Sequence, residues 1–285
     1  MAFFWHIIII GSITLLPVLG FNVVFGRGKI LYFGQEVFSL AAAYAVWVLV
    51  ARFEWPLLAA IAAATALMII LSLFFAELSL RLEPDGFGVL TIAMHLMALT
   101  IVLNWQSVTR GALGISKIPR LWFPASPAVF AAMAILIAVV WVFLLWRIDR
   151  GKVGRALAAL AEHPWHASAL GINRRTLHTF AFLLAAIGSL GSGILFPAYI
   201  LFLTHVNYDF PVLIFFITCI VAGGPGRIFG VTAATLALVF LREGLRFFAL
   251  PYDLIGPVRL ILFGLILFIA VWYRRDNLFP TRREI

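Results

Sequence analysis

Charged residues are what this sequence has least of. They make up 12% of its 285 residues, against roughly 25% in a soluble domain. With 64% of the chain hydrophobic, too little charge remains to cover a water-facing surface, which excludes a soluble fold. Cysteine is nearly absent as well. Cys219, the only one, rules out an internal disulfide and two-cysteine metal spacing, and its apolar surroundings mark it as buried filler. The motifs of membrane enzymes are missing too. There is no His-Glu-x-x-His for zinc and no Gly-x-Ser-x-Gly elbow. No paired aspartates lie within an apolar run to hold magnesium on a diphosphate, and no phosphate loop occurs, so the chain is expected to bind neither metal nor ATP by itself. Acids are outnumbered, 12 against 21 Lys and Arg, for a net charge of +9. The basic residues fall mainly between apolar runs, as in the cytoplasmic loops of membrane proteins, and so do not point to nucleic acid.

What the sequence has is long apolar segments. A membrane-spanning helix needs about 20 apolar residues, and about nine candidates are present. They cover residues 3–24, 36–51, 56–76, 87–104, 127–146, 177–203, 210–222, 229–248 and 256–273. None alternates polar and apolar residues as a barrel strand does, so the expected fold is all-α, a polytopic integral membrane protein with about nine transmembrane or partly inserted helices. No Gly/Ser linker divides it, and residues 1–285 read as one transmembrane domain. The first run lacks a basic leader and a small-x-small cleavage site, so it reads as a retained helix. Runs 36–51 and 210–222 are short enough to be tilted, broken or only partly inserted. Arg147, Arg150, Lys152, Arg155, Arg174 and Arg175 place the 147–176 loop in the cytoplasm, and Arg274, Arg275, Arg282 and Arg283 place the C-terminus there. Counting back puts Arg27, Lys29 and Arg227 on the same side. The acidic 77–86 segment and the basic 105–126 loop, with Arg110, Lys117 and Arg120, run against that rule. Gly111, Gly114 and Pro119 predict an ordered turn in the latter.

Several constellations carry chemistry. Arg155 to Glu162 is a run of good helix formers that Pro164 stops or bends, and Gly171 suits a helix C-terminus. Such a helix either fits a groove in a cytoplasmic partner or lies on the membrane surface without one. Gly223-Gly-Pro-Gly226 with Gly230 is either a tight turn between helices or a break beside a substrate path. Gln35 and Glu36, with Phe38 and Tyr44, begin a span. A carboxylate there is either interfacial, beside Lys29, or set in a hydrated vestibule. His95, alone in an apolar run, reads as a hydrogen-bonded core residue, and Gly188 and Ser192 read as a helix-packing face. Trp55, Trp105, Trp122 and Tyr273 fit an interfacial belt.

Taken together, these pieces resemble the membrane permeases of branched-chain amino acid ABC importers. The stretch Gly154-Arg155-Ala156-Leu157, with Glu162 and Ala169-Leu170-Gly171-Ile172-Asn173, looks like that family's coupling loop. Gly223, Gly224, Gly226 and Gly230 look like its glycine-rich break. Thr109-x-Gly111-x-x-Gly114-Ile-x-x-Ile-Pro119 is similar to its external loop, and Gly34-Gln35, Phe38 and Tyr44 to its early segment. The chain departs from the pattern at Leu40, Ala42, Ala158 and Ala161, at Leu96, at Lys117 and in the tail after Tyr273.

The resemblance implies a permease subunit of the bacterial inner membrane working by alternating access. It implies a second homologous permease subunit, two ATP-binding subunits that hold ATP and magnesium, and a periplasmic binding protein. The expected solute is a branched-chain amino acid or a related small polar solute such as another amino acid, an amide or urea. Gln35, Glu36, Phe38 and Tyr44 are the expected path lining. The rival expectation is a stand-alone channel or secondary carrier for a small solute.

Overall fold

The computed structural model describes residues 2–116, 118–119, 126–245 and 252–278. Lys117, Arg120, Trp122, Arg282 and Arg283 lie outside the described residues. The helices are α1 (Ala2–Phe21), α2 (Gln35–Ala51), α3 (Leu57–Arg81), α4 (Pro84–Asn104), α5 (Gln106–Thr109), α6 (Pro127–Arg150), α7 (Lys152–Glu162), α8 (Pro164–Ala169), α9 (Arg174–Ile200), α10 (Phe210–Gly223), α11 (Ile228–Gly244) and α12 (Tyr252–Leu278). One π-helical segment, Asn22–Arg27, continues α1. Seven spans among the described residues are long and apolar enough to cross a membrane. The shorter α2 and α11 complete the set expected from the apolar runs. Boundaries differ in one consistent way. α6 runs on through Arg150 and α9 starts at Arg174, so the basic 147–176 loop begins and ends inside helices. Charged residues extend a spanning helix beyond its apolar stretch because the last turns stand in the headgroup zone.

α9 is the axis of the bundle and packs against α1, α2 and α3. α1 lies between α9, α6 and α11. From Ile9 onward the apolar side chains of α1 are buried on every side, with Ile9, Val18, Leu19 and Phe21 fully inaccessible, as expected of a helix that is apolar all round. Close contacts hold the axis together. Gly188 sits against the Leu16 carbonyl of α1, and that carbonyl also accepts from Trp141 Nε1 of α6 at 3.0 Å. Trp47 Nε1 of α2 donates to the Gly193 carbonyl at 3.0 Å. The outward faces of α3, α4, α6 and α12 stay apolar and exposed, for instance at Ile70, Val89, Leu136 and Ile261, where lipid would cover them.

Side-chain pairs fix which loops share an end. Arg27 meets Asp149, and Arg175 meets Glu77. The acidic segment that ran against the charge rule therefore faces the basic start of α9. At the opposite end, His6 Nδ1 lies 2.8 Å from the Tyr199 hydroxyl, and Arg242 pairs with the buried Glu243. The segment after α4 folds into an ordered turn there. Arg110, Gly111 and Gly114 take positive φ. Ile115–Ser116 (β1) pairs antiparallel with Phe202–Leu203 (β2), a two-residue ribbon too short to show in the apolar pattern. Trp55, Trp105 and Tyr273 are exposed at helix ends.

Candidate translocation path and coupling surface

Between Gly28 and Gly34 the chain is not helical, and it runs inward. α2 begins beside Ala185 and Ser189. These residues lie about three to four turns, roughly 16 to 22 Å, into α9 at 1.5 Å per residue. An irregular backbone at that depth is tolerated only when it is buried in protein or lines a cavity. Here it is buried. Phe33 N–H donates to Thr91 Oγ1 of α4 at 3.0 Å, and Tyr32 is fully inaccessible. The Tyr32 ring sits among Phe21, Phe38, Phe75, Phe87 and Phe182, with centroids 5.0 to 6.1 Å away.

The first turn of α2 then places Gln35 and Glu36 inside the bundle, 0% and 1% exposed. The interfacial alternative for Glu36, beside Lys29, does not fit this placement. Gln35 Nε2 donates to Ser189 Oγ at 2.8 Å and to the Ala185 carbonyl at 3.2 Å, and Ser39 joins Ser189 at 3.2 Å. Glu36 lies within reach of the Ser39 hydroxyl. Among the described residues the hydroxyls of Tyr32, Tyr44 and Tyr208, Gln35 Oε1 and Glu36 Oε1 have no hydrogen-bond partner. Among the described residues no ion pair involves Glu36. Backbone N–H groups at a helix start carry partial positive charge, which favours a carboxylate there. A buried carboxylate with unused lone pairs is nevertheless expensive in a lipid-embedded core. Phe38 packs in the aromatic cluster, and Tyr44 is 6% exposed one helix face away. His95 is buried, with Nε2 2.7 Å from the Tyr208 carbonyl, a core hydrogen bond as expected.

At the basic end, the 147–176 loop forms two short helices. α7 is amphipathic: Gly154, Leu157 and Leu160 face inward, while Arg155, Ala159 and Glu162 are exposed; Ala156 is half-buried. Pro164 opens α8 after the His163 link. Gly171, at φ 80°, closes α8. Gly171 N–H bonds to the Ser168 carbonyl and Ile172 N–H to the Ala167 carbonyl, which satisfies the helix end. Asn173 caps α9 by accepting from Thr176 N–H at 3.2 Å. Two large apolar side chains point away from the protein, Trp165 at 88% and Leu170 at 82% exposure. Ala169 is exposed between them.

Gly223, Gly224, Gly226 and Gly230 form the tight turn between α10 and α11. Gly224 has φ 95° and ψ 107°, and Arg227 N–H bonds back to its carbonyl at 3.0 Å. Gly230 abuts the Gly223 carbonyl so closely that neither position has room for a Cβ. The geometry matches the turn alternative. The turn is also tied to the π segment, since Gly226 N–H donates to Asn22 Oδ1 at 2.9 Å. Asn22, Ser189 and Tyr208 had not stood out in the sequence, and Arg27 had been read only for its side of the membrane. Asn22 carried a usable signal, because an amide within a long apolar run is costly unless bonded. Ser189 and Tyr208 join the site through folding alone.

The fold is thus a polytopic helical membrane protein with a broken helix at mid-depth and an amphipathic loop at its basic end. Residues 3–271 match the family model described as branched-chain amino acid transport system / permease component. The chain belongs to that family, whose members are transport permeases rather than enzymes. Among curated proteins it is similar to the high-affinity branched-chain amino acid transport system permease protein LivM of Escherichia coli (strain K12). The two are 27% identical over 298 aligned positions, covering 93% of this chain and 67% of that protein. The LivM protein of Salmonella typhimurium matches with the same identity and coverage. No solved structure matches.

Proposed function

We propose that this chain is a translocation subunit of an ABC importer in a bacterial inner membrane. It carries a branched-chain amino acid or a closely related small amino acid. The loop at 152–173 and the C-terminus face the cytoplasm. Two ATP-binding subunits supply ATP and magnesium, a second homologous permease completes the path, and a periplasmic binding protein delivers the solute.

One observation carries the path assignment: the broken helix buries Glu36, whose Oε1 has no hydrogen-bond partner among the described residues, beside the likewise unpartnered hydroxyls of Tyr32, Tyr44 and Tyr208. Polar groups at this depth persist where they serve a passing solute. In the inward- or outward-open state the solute's ammonium group would complement Glu36. Its apolar side chain would rest on the ring cluster around Tyr32 and Phe38. Exposed Trp165 and Leu170 support the coupling role of the loop, since large apolar side chains on a water-facing helix suit a partner's groove.

The test is uptake of radiolabelled leucine into proteoliposomes carrying the transporter purified through this chain. Uptake is expected to require ATP and to fall by roughly a factor of ten or more in Glu36→Gln, the equivalent of about 1.4 kcal/mol of lost interaction. Uptake by the isolated chain without nucleotide would favour a stand-alone carrier. Normal uptake in Glu36→Gln would remove Glu36 from the path.

A further inference from the structure

The π-helical segment Asn22–Arg27 touches the three parts of the molecule that transport has to coordinate. At its end, Arg27 Nε lies 2.9 Å from Asp149 Oδ1 and donates to the Gly154 carbonyl at 3.3 Å. Asp149 belongs to the last turn of α6 and Gly154 to the first turn of α7, so this one guanidinium grips the root of the cytoplasmic loop. At its start, Asn22, fully buried, accepts from Gly226 N–H across 204 residues of sequence. Gly26, between them, has no room for a Cβ against Asn22 Oδ1 and Gly226 N. On the third side the ring of Phe25 meets Phe33 at 6.2 Å, and Phe21, just before the segment, meets Tyr32 at 6.0 Å. Both partners belong to the inner break that precedes Glu36.

Two features suit a joint that shifts. The π segment ends α1 just before the chain turns inward, and π turns are irregularities frequent at functional sites. The joint is also incompletely filled: a cavity of about 20 Å³ lies among Asn22, Arg27, Asp149, Gly154, Leu157 and Ile228.

We propose that Asn22 and Arg27 are positioning residues. They transmit displacement of the 152–173 loop to the glycine turn and to the inner break, so that loop movement and path opening occur together. Arg27 is the loop-side hook and Asn22 the turn-side hook. Neither contacts the solute. The inference rests on the proposed ABC importer function and adds to it the route by which the loop reaches the path. An Arg27 that only stabilised the fold would lower the yield of intact transporter without changing how much solute moves per ATP.

The experiment uses the complete transporter in proteoliposomes and reads leucine taken up per ATP hydrolysed, normalised to co-purified ATPase. Arg27→Ala and Asp149→Ala are each expected to lower that ratio on the order of fivefold or more, the lower end of ordinary coupling between sites, while the ATPase still co-purifies. The charge-swapped pair Arg27→Asp with Asp149→Arg is expected to recover most of the ratio. Asn22→Ala is expected to lower it by a similar factor through the other hook. If Arg27→Ala yields no folded protein, Arg27→Lys and Asn22→Ala carry the test. Lys keeps the charge but loses the forked donor geometry, so an intermediate ratio is expected. A wild-type ratio in these variants overturns the proposal while leaving the importer reading intact. Leucine uptake by wild-type proteoliposomes without nucleotide overturns both.

Discussion

The α10–α11 crossing is held at backbone contact by two glycines, and Gly223→Ala probes it most directly. A Cβ on Gly223 would lie 2.5 Å from Val231 Cα and 2.6 Å from the Gly230 carbonyl oxygen. Both are backbone atoms that no rotamer change can move, so the helices must separate. Overpacking costs about 1–3 kcal/mol, and immobile neighbours put this case at the upper end. Alanine returns up to about 1 kcal/mol of helix propensity, leaving a net loss of about 2 kcal/mol. Cys219 supplies the readout. It is the chain's only cysteine, is fully buried, and lies one turn before Gly223, beside Thr235 of α11. Where labelling waits on transient opening, its rate follows the open population. A loss of 2 kcal/mol then speeds maleimide labelling of Cys219 in detergent roughly thirtyfold. The control is Gly264→Ala in α12, whose Cβ would meet nothing within 4 Å and which should label at the wild-type rate. Labelling of Gly223→Ala within about twofold of wild type, allowing for the roughly 0.4 kcal/mol it represents, would show that the crossing is not held by this contact.

Gly224→Val places a β-branched residue at φ 95°, a strain of about 1–3 kcal/mol. ATP-driven leucine uptake should fall sharply while membrane insertion persists, and normal uptake would assign the turn no mechanical role. Gln35→Leu removes the donor to Ser189 and Ala185. An interhelical hydrogen bond in a membrane protein is worth about 1 kcal/mol, so unfolding in detergent should occur earlier by that amount, and an unchanged midpoint would contradict the bond's role. Leu19→Ala empties a fully buried site on α1 and should cost about 2–5 kcal/mol. Leu136→Ala on α6, 64% exposed, should stay within about 0.5 kcal/mol. Equal losses at the two sites, read from denaturant unfolding, would place α1 outside the core.

Hydropathy located the helices well because the bilayer demands unbroken apolar length, a one-dimensional property. It was silent on which helix lies at the centre. α1 and α6 are both long apolar runs, yet 89% of the best window of the first span is buried against 28% of the sixth helix's. Lipid and protein interior are equally apolar, so composition does not separate them. The short helices of the 147–176 loop were legible through Pro164 and Gly171, because turn and cap chemistry is local. The inner site was legible only in part. Gln35 and Glu36 stood out as polar residues beside an apolar run. Their depth depends on the extended segment before them, and Ser189 and Tyr208 come from parts of the chain more than 150 residues away.

The arrangement also explains why a chain with so few charges places several where they carry strain. Besides the interhelical hydrogen bonds inside the bundle, such as Trp47 to Gly193 and Gln35 to Ser189, its polar groups include two contrasting kinds. Some tie helix ends together, as Arg27 does with Asp149 and His6 with Tyr199. Others, around Glu36, are left without partners in the middle. The first kind stabilises one geometry. The second kind costs free energy in that same geometry, because its lone pairs and hydroxyls face apolar surroundings. A bundle closed at its ends and unsatisfied at its centre has a reason to open when a polar solute arrives. On the proposed reading the solute would supply the missing partners, and the binding free energy so gained would shift the balance between closed and open states. The end ties then determine which loops must move as the centre opens, and the tie made by Arg27 lies at the root of the loop on the basic side.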